Sequence, residues 1–275
     1  MMAEIGTPLQ RFRARCLRCV YIAAIFLASV SFSAAVARSQ DSAIIAKAQD
    51  ATQKFVDDFA LIRYDEYQSQ QKLRKNGKIA YEENTVFDSI IRMHVEDDGL
   101  FVDEQQIVVK QPRQVHKRPL LSTRGFSALA MILHPYYASS FQFTVAGSEQ
   151  LQGRTVTRID FMHIPDKPSP WLYQILGGDR PLDLAGSAWV DPRTGEMVRI
   201  EASVGSKETD LGFKELHAEL DYAPVLLRDE DTPRMLPDSA TIDFETPRQH
   251  WRNTYSFKDY RRYRVAAGVE GDAAR

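Results

Sequence analysis

Residues 185–204 read AGSAWVDPRTGEMVRIEASV, two runs of alternating apolar residues on either side of the polar hexapeptide DPRTGE. In the second run, apolar residues at every other position alternate with polar ones, which is the period of a half-buried strand. Within the hexapeptide, Pro192 presets φ, Asp191 can hydrogen-bond the backbone that follows it, and Gly195 supplies φ > 0. The stretch therefore predicts a β-hairpin. The alternative, a catalytic loop with Asp191 and Glu196 as paired carboxylates, is disfavoured because the polar residues already serve the turn.

The same period of two recurs over most of the chain. Asn76-Gly77 is the strongest short hairpin signal, because both positions of the favoured turn need φ > 0. Alternating runs lie at residues 87–95, 215–222 and 251–257. We count about 11 regularly spaced strands, which predicts a mainly β domain built as an antiparallel sandwich or a barrel-like sheet.

Three segments break this pattern. Residues 41–60 place their apolar side chains on one stripe and predict an N-terminal amphipathic helix. The run GFSALAMILH, residues 125–134, predicts a short helix that Pro135 ends. Residues 164–184 are rich in proline and glycine and predict an irregular insertion loop, in which WLYQIL (171–176) is too short for an independent helix.

The N-terminus predicts a cleaved signal peptide, residues 1–37. Four arginines precede the apolar run VYIAAIFLASV, and Ala35-Val36-Ala37 supplies an A-x-A cleavage site, with a second cut possible after Ser39. The apolar run is shorter than the ~20 residues of a membrane span, which makes an uncleaved anchor the weaker alternative. Both cysteines fall inside this peptide, so the exported chain has no disulfide and depends on its core. We expect one domain over 38–265 and a frayed tail at 266–275.

The net charge of the exported chain restricts the classes of partner it can bind. Four of the 35 basic residues and one of the 37 acidic residues lie in the predicted signal peptide, which leaves 31 against 36, a net charge of −5. A nucleic-acid-binding domain needs a clustered basic excess, so we expect no nucleic-acid partner. The balance does not exclude a membrane surface.

No motif of established chemistry stands out in the exported chain. No two of the six histidines lie at i, i+2 or i, i+4, so there is no local metal-binding pair, and neither a nucleophile elbow nor a phosphate loop is present. Adjacent carboxylates such as Asp57-Asp58 and Asp97-Asp98 point to opposite faces or sit at solvated turns. We therefore predict no catalytic residue, no metal site and no cofactor.

The candidate site consists of the apolar residues of two peripheral segments, residues 125–134 and WLYQIL (171–176). They are more apolar than short peripheral segments need to be, and we predict that they cover or line a groove for an apolar ligand. The candidate residues are Phe126, Leu129, Ile132, Leu133, Trp171, Leu172, Ile175 and Leu176. Packing of these side chains in the core is the alternative, which the sequence leaves open.

Two short motifs carry a resemblance to a known family. Trp189-Val190-Asp191 and Arg199-Ile200 lie on the two strands of the hairpin, and residues 257–263 read FKDYRRY. In these motifs, and in the order of its elements over residues 43–265, the chain resembles the LolA/LolB-like outer-membrane lipoprotein-sorting superfamily, and within it the periplasmic branch. The resemblance implies a periplasmic protein. It also implies a strongly curved, incompletely closed antiparallel half-barrel with an N-terminal helix and short helices on its concave face.

The same resemblance implies a binding protein rather than an enzyme. The family's carriers hold the acyl chains of a lipoprotein in their cavity, so we expect a lipid or a lipidated protein as partner and a role in lipid or lipoprotein trafficking. The alternative is a protein-binding sensor module of envelope stress signalling on the same fold, with an envelope membrane protein as partner. We expect the protein to be a monomer.

Overall fold

The computed structural model describes most of the chain beyond the predicted signal peptide. The described residues are 40–59, 62–96, 99–111, 127–175, 178–204, 212, 214–228 and 230–262. The chain divides into two units, Met1–Ile44 and Ile45–Arg275, and only residues 40–44 of the first are described. The predicted signal peptide, the C-terminal tail, Phe126 and Leu176 lie outside the described residues.

Helices are few and strands are many. Helix α1 spans residues 40–59, which confirms the predicted amphipathic helix. Helix α2 is the single turn Ser127–Ala130, and two 3-10 helices follow it at Met131–Leu133 and Pro135–Ser140. Among the described residues, no helix is long and apolar enough to cross a bilayer. The strands are β1 Ile62–Leu73, β2 Ile79–Glu96, β3 Gly99–Lys110, β4 Phe141–Leu151, β5 Arg154–His163, β6 Leu172–Ile175, β7 Gly178–Pro181, β8 Leu184–Val190, β9 Met197–Val204, β10 Glu215–Val225, β11 Arg234–Glu245 and β12 His250–Arg262.

Ten strands form one antiparallel sheet, in the order β3-β2-β1-β12-β11-β10-β9-β8-β5-β4. Hairpins join most neighbours, including the predicted Asn76-Gly77 turn, in which Gly77 has φ 76°. The edge strands β3 and β4 do not pair with each other, so the sheet is a curved half-barrel and not a closed barrel. The predicted fold class is confirmed, with ten strands in the sheet and two in a separate ribbon.

The two faces of the sheet differ in polarity, because side chains alternate along each strand. The face that packs against α1 and α2, which we call the inner face, carries buried residues such as Ile200, Leu220 and Ala240, adjacent on β9, β10 and β11. The opposite, outer face carries charged residues, among them Arg199, which donates to the carboxylate of Asp221 at 2.7 and 2.9 Å. Burial of the inner face therefore holds the helices on the sheet.

The long connection from β3 to β4 contributes to this packing. It carries α2 and both 3-10 helices, and α2 packs against β9. The hydroxyl of Tyr137 donates to the carbonyl of Leu100 at 3.0 Å, which ties the second 3-10 helix to the edge strand β3. The connection thus places short helical segments on the inner face, as the resemblance implies.

The hairpin predicted from residues 185–204 forms between β8 and β9. Asp191 builds the turn as expected, since its Oδ1 accepts from the N–H of Arg193 at 2.7 Å and its carbonyl accepts from the N–H of Gly195 at 2.8 Å. Gly195 has φ 77°, and a Cβ there would lie 2.5 Å from the carbonyl oxygen of Lys47 on α1. The turn therefore packs directly on helix α1, a contact that the alternation pattern does not predict.

The insertion at residues 164–184 is not wholly irregular, contrary to the prediction. Strands β6 and β7 pair as a two-stranded ribbon outside the main sheet. At its base, Nδ1 of His163 lies 2.7 Å from the carboxylate of Asp183, and the hydroxyl of Ser169 donates to the carbonyl of Leu182 at 3.0 Å. The sequence pattern missed the ribbon because strands of four residues are too short to show a period.

Candidate functional site

A cleft of about 630 Å³ lies between helix α1 and the end of the sheet at the β8–β9 turn. Its walls come from α1, α2, the β8–β9 turn, the start of β9, β10, the β10–β11 connection and the start of β11. Helix α1 is held here by aromatic contacts. The ring of Phe55 packs edge-on against Tyr222 of β10, with centroids 5.8 Å apart, and Phe59 stacks on Tyr64 of β1 at 5.9 Å. The cleft is thus a gap in an otherwise packed helix–sheet interface.

The floor of the cleft is apolar. It is formed by Phe55, Phe59, Ala130, Met197, Tyr222 and Leu236. All of these except Phe55 are at most 7% exposed, so the floor is continuous with the core of the domain. An apolar occupant would replace water against this surface, which is favourable in proportion to the apolar area covered.

The rim of the cleft carries charges of both signs. Arg234 joins α1 to the β10–β11 connection through ion pairs with Asp58 and Glu230. The hydrogen bond from Arg234 lowers the pKa of Glu230 below its ordinary value, so this carboxylate stays ionised at neutral pH. Lys47 donates to the carbonyl of Pro192 at 3.1 Å, so the predicted turn also forms part of the rim. A charged rim over an apolar floor suits a ligand with a polar end and an apolar body.

Tyr222 is, with Thr52 of α1, one of two buried residues in the cleft lining that carry a hydroxyl group. It is 3% exposed, and its hydroxyl has no hydrogen-bond partner among the described residues. Burial raises the pKa of Tyr222 far above its ordinary value, so the phenol stays neutral. Leaving a buried hydroxyl unpaired costs ~1–3 kcal/mol. The described residues do not offset this cost.

Three of the predicted groove residues are in the buried interior. Leu129, Ile132 and Leu133 are 1%, 0% and 0% exposed. Their neighbour Ala130 lines the cleft. The structure therefore places this segment beside the cleft with its large side chains packed. A direct role for these three residues in ligand contact stays a prediction.

The described residues of the second predicted segment, Trp171, Leu172 and Ile175, lie near the opposite end of β8. The insertion enters β8 at Leu184, whereas the turn that bounds the cleft leaves it at Val190. Trp171 is partly exposed, Leu172 is 49% exposed, and Ile175 ends strand β6. Neither Trp171 nor Leu172 lines the cleft. As far as their residues are described, the two predicted segments do not meet at this cleft.

A buried polar cluster on β1–β3 was missed by the sequence analysis. Glu66 is 0% exposed and accepts from the hydroxyl of Ser89 at 2.9 Å and from Nε2 of Gln106 at 3.0 Å. Burial, reinforced by the nearby carboxylate of Glu104, raises the pKa of Glu66 to about 7. The sequence did contain a signal for the burial of Glu66, because the period of two in β1 puts Glu66 on the same face as the buried Ile62.

One group of side chains on the outer face has the donor set of a metal site. Ligand atoms of Glu201, His217 and Glu219 all lie within 4.8 Å of one another. Arg199 lies 3.6 Å from Glu201 and 3.1 Å from Glu219, so its guanidinium already compensates both carboxylates. We assign no metal to this group.

The chain matches no protein-family model and no curated protein sequence. It is similar to solved structures, among them a DUF1329 family protein from Desulfovibrio piger, with 12% identity over 83% of this chain and 94% of that one and a TM-score of 0.43. A putative outer membrane lipoprotein-sorting protein domain from Vibrio parahaemolyticus has 15% identity over 82% and 94% of the chains, with a TM-score of 0.41. A LolA superfamily protein from Nitrosomonas europaea has 11% identity over 79% and 94%, with a TM-score of 0.37. The last two carry names from the superfamily that the sequence motifs resemble.

Proposed function

We propose that this protein is an exported, periplasmic binding protein that holds a lipid, or the acyl chains of a lipidated protein, in the cleft and performs no chemistry on it. The construction of the cleft carries the proposal, since a floor of buried apolar side chains lies below a rim of charged ones. A lipid has the same two parts in the same order, an aliphatic body and a polar head. A role in lipid or lipoprotein trafficking follows from such binding.

The size of the cleft supports reversible binding. About 630 Å³ falls within the ~300–1,000 Å³ of typical small-molecule sites. Each buried CH₂ group contributes ~0.8 kcal/mol, so ten would contribute about 8 kcal/mol, from which the cost of association, ~4 kcal/mol or more, is subtracted. The net, at most about 4 kcal/mol for ten groups, corresponds to a Kd of about 1 mM, so binding through such a chain alone is weak and readily reversible.

The segments predicted from sequence enter the proposal in two ways. Leu129, Ile132 and Leu133 form the packed support beside Ala130 in the cleft wall. Trp171 and Leu172, at least partly exposed, stay candidates for a second apolar contact apart from this cleft.

Two alanines of helix α1 provide a matched test. Ala51 lines the cleft, whereas Ala46 is exposed and does not line it. We expect Ala51→Trp to fill the cleft and weaken the binding of a fluorescent fatty-acyl probe by about tenfold or more, because at least two buried CH₂ groups lose their place. Ala46→Trp should bind the probe as the unsubstituted protein does, and circular dichroism checks that both variants fold.

Two outcomes would contradict the proposal. One is an equal loss of binding in both variants, and the other is the absence of saturable binding by the unsubstituted protein. The second outcome would favour the protein-binding alternative, which cross-linking in the cell envelope would then test.

A further inference from the structure

His134 joins the two 3-10 helices of the β3–β4 connection and has a buried side chain. It is 5% exposed, and its Nδ1 accepts from the backbone N–H of Tyr136 at 3.1 Å, which caps the helix Pro135–Ser140. Because Nδ1 accepts, the proton of the neutral ring is on Nε2. Nε2 is buried and has no hydrogen-bond partner among the described residues. The cap therefore requires the neutral ring.

The protonated ring does not fit this position. Both nitrogens of an imidazolium are donors, so Nδ1–H would face the N–H of Tyr136, and Nε2–H would still lack an acceptor. A second buried histidine, His163, is arranged differently. Its Nδ1 lies 2.7 Å from the carboxylate of Asp183 and its Nε2 lies 3.1 Å from the carbonyl oxygen of Lys167. The surroundings of His163 can thus accept the hydrogens of both nitrogens, whereas a protonated His134 has to leave the cap.

The electrostatic surroundings of His134 act in the same direction. Burial lowers the pKa of His134 below its ordinary value of 6.5, and the carboxylate of Asp57 on α1 opposes this only in part. Asp57 is exposed and takes no part in the cap, where the ring meets the uncharged N–H of Tyr136. His134 therefore takes up its proton at a lower pH than an exposed histidine does.

The capped segment also forms part of the cleft wall. The backbone N–H of His134 donates to the carbonyl of Met131 at 3.0 Å, and its carbonyl accepts from the N–H of Tyr137 at 2.9 Å. On one side of these bonds Ala130 lines the cleft, and on the other the hydroxyl of Tyr137 donates to the carbonyl of Leu100 at 3.0 Å. Displacement of His134 therefore loosens the segment between the cleft and the edge strand β3.

We infer that His134 makes the cleft sensitive to acid: its neutral ring holds the wall segment in place, and protonation releases the cap and lowers the affinity of the cleft for its ligand. The inference rests on the proposed function and adds the regulation of that site by pH. The loss of one N-cap corresponds to a change of about fivefold in an equilibrium constant. A ligand bound at neutral pH is thus released more readily in mildly acidic surroundings.

His134→Asn tests the inference, because asparagine caps helices well and does not titrate. The full chain is expressed and exported, and the purified protein is titrated with a fluorescent fatty acyl ester, a probe without a titratable group, at about pH 7.5 and about pH 5. We expect acid to raise the Kd of the unsubstituted protein about fivefold more than that of His134→Asn. His250→Asn is the matched control and should respond as the unsubstituted protein does, because His250 contacts Asp243 and does not line the cleft.

Amide hydrogen exchange reports on the cap without a ligand. The protection factor of the Tyr136 amide should fall about fivefold in acid in the unsubstituted protein and stay unchanged in His134→Asn. His134→Ser, which can also cap, repeats both measurements with a smaller side chain. An equal acid response of the unsubstituted protein and both variants would overturn the inference while lipid binding stands, and so would a fall in protection without a change in Kd. The absence of saturable binding at either pH would overturn the proposed function as well.

Discussion

Replacing Glu66 by glutamine should stabilise the protein above neutral pH and have no effect in acid. Burial, with the carboxylate of Glu104 nearby, raises the pKa of Glu66 from 4.5 to about 7. In the unfolded chain the Glu66 carboxyl loses its proton near the ordinary pKa of 4.5, whereas in the native protein it keeps the proton until the pH reaches about 7. The contribution of Glu66 is therefore fully present below about pH 4.5 and is lost as the pH rises through about 7. Glutamine has no carboxyl proton, so the variant does not show this decrease in stability with pH.

The magnitude follows from the two pKa values. The difference between 4.5 and about 7, at ~1.4 kcal/mol per pH unit, corresponds to about 3 kcal/mol. The hydrogen bonds at the site can persist, because the amide oxygen accepts from Gln106 and the hydroxyl of Ser89 can turn to accept from the amide N–H. We expect the free energy of unfolding of the variant, relative to that of the unsubstituted protein, to rise from near zero to about 3 kcal/mol across this pH range.

Urea unfolding followed by circular dichroism at several pH values measures this difference. Glu82→Gln is the control, because Glu82 is exposed and the hydrogen bonds from Gln71 and Ser69 lower its pKa. Its substitution should have the opposite sign and lower stability slightly above the ordinary pKa of glutamate. A difference for Glu66→Gln that is independent of pH, or that falls as pH rises, would refute the assignment of a buried proton to Glu66.

Two further substitutions test the fold. Gly195→Ala should destabilise the protein by ~2–4 kcal/mol, because φ is 77° and the new Cβ meets the Lys47 carbonyl. Gly77→Ala, where φ is 76° and the space is open, should cost only ~1 kcal/mol. Equal melting temperatures for the two variants would contradict the packing of the turn on α1. Arg199→Met should lower the free energy of unfolding by ~1–3 kcal/mol at neutral pH, because it leaves the carboxylates of Glu201, Glu219 and Asp221 together on the outer face without their cation. In acid, where the carboxylates are protonated, the loss should be smaller. An equal loss of stability at both pH values would show that the charge of the carboxylates is not the cause.

Local chemistry accounts for what the sequence determined about the elements. The turn at Asp191–Gly195 and the turn at Gly77 were both predictable, because Asp, Pro and Gly act on backbone angles within a few residues. The strands and helix α1 were predictable from the alternation of apolar residues, which records the period of each element. The short β6–β7 ribbon carries too few residues for such a record.

The candidate site depended on contacts that no local pattern contains. Residues 129–133 are apolar in the sequence, but only the structure shows that Leu129, Ile132 and Leu133 pack in the interior while Ala130 lines the cleft. The floor joins Phe55 to Tyr222, which are far apart in the chain, and Tyr222 reads in the sequence as an ordinary alternating strand residue.

The sequence by itself determined the mainly β fold class, the amphipathic helix and the turns, because period and turn chemistry act over short distances along the chain. Only the tertiary structure decided that the β8–β9 turn packs on α1 and that a cleft remains between α1 and the sheet. It also decided that Glu66 and the hydroxyl of Tyr222 are removed from water. The physical reason is that burial depends on which elements meet across the inner face. That depends on shape and packing between residues distant in sequence, which an alternation pattern does not encode.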